Sequence, residues 1–157
     1  LLHLGIAKSS SQPEEAESYY KRALEEPLSP QVLVGARLNL GALLLRLNKL
    51  AEATEVTAAV TRQAPEVLLG WYNLGLIQRK AGNIGGAIEA YENGLQLDPD
   101  SPELHQNLGA ARLAGGNFEA ARESFLMAIG LLLQQNRKAD AEALARSAGE
   151  LVNLNAA

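Results

Sequence analysis

The chain has 157 residues, a length suited to one domain or one short repeat array. Leucine and alanine supply 55 of them and valine, isoleucine and threonine only 14, with aromatics at 4%. Strands favour β-branched and aromatic residues, so this composition argues against sandwiches, barrels and parallel-sheet enzymes and in favour of an all-helical fold. A formal net charge of −4 lacks the basic footprint of a nucleic-acid binder, and the absence of cysteine excludes disulfides, thiol catalysis and zinc knuckles. No tract reaches the roughly 18 apolar residues that span a bilayer, so no membrane insertion is expected.

In chain order, Leu1-Leu2-His3-Leu4-Gly5 reads as the middle of an amphipathic helix with no cap before it, and Met127 is the sole methionine. A fragment of a longer chain is the expectation. The segment lacks the basic flank and length of a signal peptide; the cytoplasm stands as a default compartment and not as an inference from these residues.

The sequence then repeats itself. Leu38-Asn39-Leu40-Gly41 recurs as Tyr72-Asn73-Leu74-Gly75 and as Gln106-Asn107-Leu108-Gly109, 34 residues apart each time. Ala53, Ala87 and Ala121 keep that spacing, as do Thr57, Tyr91 and Phe125, then Val60, Gly94 and Ala128. Pro65 and Pro99 also match, while Leu133 breaks the series. Each period has helix–turn–helix logic. The small residues Gly41, Gly75 and Gly109 let the second helix approach, and the large or branched residue of that helix fills the space beside them. Leu47-Asn48-Lys49, Ala81-Gly82-Asn83 and Gly115-Gly116-Asn117 form the turns, where Gly and Asn supply left-handed geometry. Ser101 before Pro102 starts the next helix.

With these residues in place, the chain resembles the tetratricopeptide repeat (TPR) family. The best match is 68–101, with Trp71, Leu74, Gly75, Ala87, Tyr91, Gly94 and Pro99 on the family pattern. Repeats 34–67 and 102–135 depart from it at Arg37 and His105, in the slot of Trp71, and at Leu133. A divergent copy at 1–33 carries Leu4-Gly5, Ala16, Tyr20 and Ala23, with a link Glu26-Pro27-Leu28-Ser29-Pro30 about three residues too long. The resemblance implies a right-handed α-solenoid of antiparallel helix pairs, about nine helices in all. The stretch 136–157 is read as a capping helix that covers the last core with Leu144, Ala148, Leu151 and Val152. The first helix of a further repeat is the alternative.

Little chemistry is visible. His3 and His105 are three repeats apart, and His105 sits in a packing slot. Glu14-Glu15 and Glu25-Glu26 fall near helix ends as solvated charge. The glycine clusters around Gly82 and Gly115 follow no strand and precede no Gly-Lys-Ser/Thr, so they are turns rather than phosphate loops. No nucleophile–base–orienter set is visible in the sequence. Neither an enzyme nor a cofactor is expected.

Binding is the better reading. Asn39, Asn73 and Asn107 each precede the inward Leu by one residue, at the border of the face lining the concave surface. A carboxamide offers donor and acceptor together, which suits the backbone of an extended peptide. In several TPR families asparagines at this motif position contact peptide backbone, and the resemblance implies the same here. The alternative is that each bonds a neighbouring helix. The same stripe holds Gly35, Ala42 and Arg46, then Leu69, Tyr72, Leu76 and Lys80, then Glu103, Gln106, Ala110 and Ala114. The carboxylate clamp of chaperone-adaptor TPR proteins needs basic residues where Gly35, Leu69 and Glu103 stand, so it is not supported. The expected function is a scaffold binding a peptide or partner helix, with Leu69, Tyr72 and Leu76 giving apolar selection. Two rivals remain: a spacer or homodimer element packing through Leu131 to Leu133, and the substrate-selecting arm of a larger enzyme such as a glycosyltransferase.

Overall fold

A computed structural model of the chain describes residues 12–152 together with Leu2 and Gly5. Every described element is helical, and the helices fall into two compact units, residues 1–81 and residues 82–157. The first unit holds α1 (Pro13–Ala23), α2 (Pro30–Arg46), α3 (Leu50–Gln63) and α4 (Leu68–Lys80). The second holds α5 (Ile84–Leu97), α6 (Pro102–Ala114), α7 (Phe118–Gln134) and α8 (Lys138–Ala148), then a 3-10 turn at Gly149–Leu151. The fold is an all-α solenoid of antiparallel helix pairs. The first helix of the 1–33 copy, including His3 and Leu4, lies outside the described residues.

Local sequence sets the helix ends. The Ser29 and Ser101 hydroxyls accept the N–H groups of Val32 and Leu104 at 3.4 and 3.2 Å, each followed by a proline at the first helical position. The turns between paired helices are left-handed at Asn48 (φ 59), Gly82 (φ 87) and Gly116 (φ 83), and the same turn recurs before α8 at Asn136 (φ 57). At Asn48 the chain closes a Schellman motif: Lys49 N–H donates to Leu44 C=O at 2.9 Å and Asn48 N–H to Leu45 C=O at 3.0 Å. Asn83 and Asn117 play a different part from the one expected. They cap α5 and α7, accepting from Gly86 and Ala120 at 3.0 and 3.2 Å, while the glycines before them take the left-handed geometry.

Two helices run a turn longer than their counterparts. α2 begins at Pro30 because the long link winds into helix behind the Ser29 cap. α7 continues to Gln134 because Leu133 replaces the proline that follows the ends of α3 and α5. That extra turn buries Leu131 and Leu132, which are 7% and 3% exposed, against their own chain. Of the expected self-association stretch only Leu133 is open, at 51% exposure.

The 34-residue phase is a core phase. Ala53, Ala87 and Ala121 are buried, as are Thr57, Tyr91 and Phe125, and Val60, Gly94 and Ala128. A Cβ at Gly109 would lie 2.9 Å from the Phe125 ring, and one at Gly41 would collide with the Thr57 hydroxyl. Gly5 stands in the same relation to Tyr20, at 3.1 Å. In the first unit Ala16, Tyr20, Leu40, Leu43, Leu44, Ala53 and Ile77 form one cluster. In the second, Ala121, Phe125, Ala128 and Leu132 of α7 meet Ala141 and Leu144 of α8, with Ala148, Leu151 and Val152 packed alongside.

The Trp71 slot is an anchoring position in all three copies. Trp71 Nε1 donates to Pro65 C=O at 2.8 Å, and His105 Nε2 lies 2.9 Å from Pro99 C=O, the same bond 34 residues on. Arg37 reaches further: its guanidinium donates to Gln63 at 2.7 Å, and Gln63 in turn donates to Pro30 C=O at 3.4 Å. Trp71 and His105 thus tie their helices to the carbonyl of the turn before them, whereas Arg37 ties α2 to Gln63 of α3. An ionic network adds to the first unit. Glu17 is buried, with Lys21 and Lys49 at 2.6 and 2.7 Å, and Lys21 also reaches Glu52 at 2.9 Å.

Candidate functional site: the inner helix faces

In the first unit α3 packs against both α2 and α4, and α2 and α4 touch each other. Side chains of α2 and α4 that point away from α3 therefore make an inner face. Leu69 is 51% exposed there, Tyr72, Asn73 and Leu76 are half-buried, and Lys80 is exposed. Arg46 is exposed on the last turn of α2. A hollow of about 310 Å³ is lined by Leu45, Leu76, Arg79 and Lys80. Two of these residues, Leu45 and Arg79, escaped the sequence reading. They are themselves 34 residues apart, a phase signal that marks both; a stripe drawn along one helix misses residues that a neighbouring helix recruits.

The asparagines are not equivalent. Asn39 is exposed but its carboxamide hydrogen-bonds the Tyr20 hydroxyl of α1. Burial pushes the Tyr20 hydroxyl pKa above its ordinary value, against the pull of that bond. Asn39 thus serves the scaffold with part of its capacity. Asn73 carries no such bond to another described side chain. Asn107, in the second unit, holds its Nδ2 group buried and without a hydrogen-bond partner among the described residues.

The inner face of the second unit has another character. Gln106 is exposed and lines a hollow of about 240 Å³ with Pro102, Glu103, Leu132, Arg137, Asp140 and Ser147. Its cation is already engaged. Arg137 contacts Glu103 at 2.7 Å and Asp140 at 3.1 Å, and the two carboxylates hold its guanidinium pKa above the ordinary value. Among the described residues no group of three or more acidic or histidine side chains is placed to hold a metal ion, and no helix is long and apolar enough to cross a membrane.

Family models match over most of this architecture: a TPR repeat model at residues 75–116 and a tetratricopeptide repeat model at residues 7–67. A TPR repeat-containing protein of Synechococcus elongatus is 35% identical over 136 residues, covering 86% of this chain and 34% of its own length. The human protein O-mannosyl-transferase TMTC1 is 33% identical over 123 residues, 78% of this chain and 14% of that protein. The chain thus spans about a third of the first relative's length and about a seventh of the second's. Among solved structures, MamA superposes with a TM-score of 0.78 at 22% identity, covering 87% of this chain and 78% of that one. PcrH from Pseudomonas aeruginosa superposes at 0.68 and 23% identity, covering 83% of this chain and 96% of that one. At these identities the likeness is one of fold.

Proposed function

We propose, from the premise that the chain belongs to the tetratricopeptide-repeat family, that it is a protein-interaction scaffold whose inner helix faces hold an extended peptide or a partner helix. One observation carries this reading. Leu69 stands half exposed on the inner face of α4, with Tyr72 and Leu76 half-buried on the same stripe and the Asn73 carboxamide beside them. An apolar stripe edged by a carboxamide matches the two needs of an extended ligand, side-chain burial and backbone hydrogen bonding. No bond is made or broken; the partner is stabilised by burial.

A capture experiment from source lysate tests it. Wild type is compared with a Leu69→Ser, Tyr72→Ala, Asn73→Ala variant of equal helicity by circular dichroism. Asn39→Ala is run separately, because its bond to Tyr20 mixes scaffold with ligand effects. A prey retained by wild type and lost from the triple variant supports the inner face. Equal recovery moves the interaction to the outer faces or the ends.

The similarity to a stretch of an O-mannosyl-transferase supports a second reading, in which this array is the substrate-selecting arm of a larger enzyme. Transferase activity in the full-length protein that falls with the triple variant, while the isolated chain has none, distinguishes it.

A further inference from the structure

The hollow at the C-terminal ends of α2 and α4 carries a more specific reading. Leu45 and Leu76 supply an apolar wall, and Leu45 is held in place by packing on the core cluster beneath it. Arg79 and Lys80 border the same hollow, and neither is joined to a carboxylate among the described residues. The described ion pairs of this unit lie elsewhere, where Glu17 and Glu52 of α1 and α3 engage Lys21 and Lys49. The negative end of the α4 dipole accounts for basic residues in its last turn. It does not account for an apolar wall in the same hollow.

Resting on the inner-face reading above, we infer that this hollow takes an acidic, apolar segment of a partner polypeptide: a leucine-like side chain against Leu45 and Leu76, flanked by Asp or Glu side chains on Arg79 and Lys80. The charges select by complementarity and speed encounter, while the apolar contact holds the segment. Consecutive residues on a helix diverge by about 100°, so the two cations meet carboxylates on either side of the apolar residue rather than one shared carboxylate.

Fluorescence anisotropy on the whole chain tests this with three blocked decapeptides: one with a central Leu flanked by Glu, one with Gln for each Glu, and one with Ser for Leu. The Glu/Leu peptide is expected to bind about tenfold tighter than either control, with the advantage shrinking as salt rises. Arg79→Glu with Lys80→Glu should erase that advantage and transfer it to a Lys/Leu peptide. Lys80→Glu alone, at an exposed site, repeats the test should the double variant fail to fold. Equal binding of the Glu and Gln peptides, or no binding of either, overturns the inference and leaves the capture experiment to judge the inner face. Binding that survives charge reversal but is lost with Leu69→Ser and Tyr72→Ala places the peptide on the inner face away from this hollow. Binding insensitive to both sets overturns the inference and counts against the inner face as well.

Discussion

The hollow between α2 and α4 and the hollow between α6 and α8 arise from the same architecture and have opposite chemistry. In the first, Arg79 and Lys80 border an apolar wall with no carboxylate among the described residues to meet them. In the second, Arg137 is fastened between Glu103 and Asp140 at the rim of the hollow. Overall charge follows the same division. Residues 1–81 contain nine Lys and Arg against eight Asp and Glu, and residues 82–157 five against ten. A repeat fixes the positions of a surface, and the residues left over from the core decide whether that surface is satisfied internally or open to a partner. The supporting interactions differ too. The first unit buries a carboxylate within an ionic network, whereas the second extends α7 by a turn and closes it with α8.

That contrast can be broken most forcefully in the cores. Phe125→Ala should destabilise the second unit by about 3–5 kcal/mol, since the ring fills the space beside Gly109. Denaturant unfolding followed by hydrogen exchange should show amides of α6 to α8 losing protection before those of α2 to α4. A smaller loss, about 1–3 kcal/mol, is expected from Gly109→Ala, whose Cβ meets the same ring at 2.9 Å. Pairing it with Phe125→Leu should return part of that loss; an additive double variant would deny the steric cause.

Turn geometry gives the next size of effect. Gly116→Ala must hold a left-handed backbone at φ 83 and should cost about 1 kcal/mol in chemical denaturation. Asn136→Gly relaxes the same geometry at φ 57 and should be neutral or stabilising by a few tenths of a kcal/mol.

The ionic contrast is sharpened by acid. Burial alone would raise the Glu17 carboxyl pKa, but hydrogen bonds and charge from Lys21 and Lys49 outweigh it and hold the group below its ordinary 4.5. Its stabilisation is therefore complete above the unfolded-state pKa and is lost as pH falls through the lower folded value. Glu17→Gln should flatten the acid limb of the stability profile below about pH 5 relative to wild type. An unchanged limb would move the acid sensitivity to other carboxylates. Arg137→Ala, at an exposed pair, should give the smallest change and one that disappears with added salt.

Much of the fold was legible from residue identities. The glycine–leucine and alanine phases marked the buried faces because close helix approach admits only small residues at those levels. Ser101 marked a helix start because its hydroxyl satisfies an orphan N–H group, whereas Ser29, read only as part of a link, caps α2 in the same way. The Trp71 slot was legible as a position but not as a bond. That Trp71 and His105 would anchor to a turn carbonyl, and Arg37 to Gln63 of the neighbouring helix, depends on where those groups lie in space. The site was legible in part: the stripe named Leu76 and Lys80 but not Leu45 and Arg79.

The sequence by itself determined the helical class, the 34-residue register and the core positions, because these follow from local propensity and from a period that each helix carries alone. Tertiary structure decided which charges are spent and which stay open. Glu17 finds its second lysine 32 residues away, Glu103 finds Arg137 across two helices, and Asn39 meets Tyr20 from a different helix. Pairings of that kind depend on the distance between side chains in space, and only the packing of one helix on another fixes that distance.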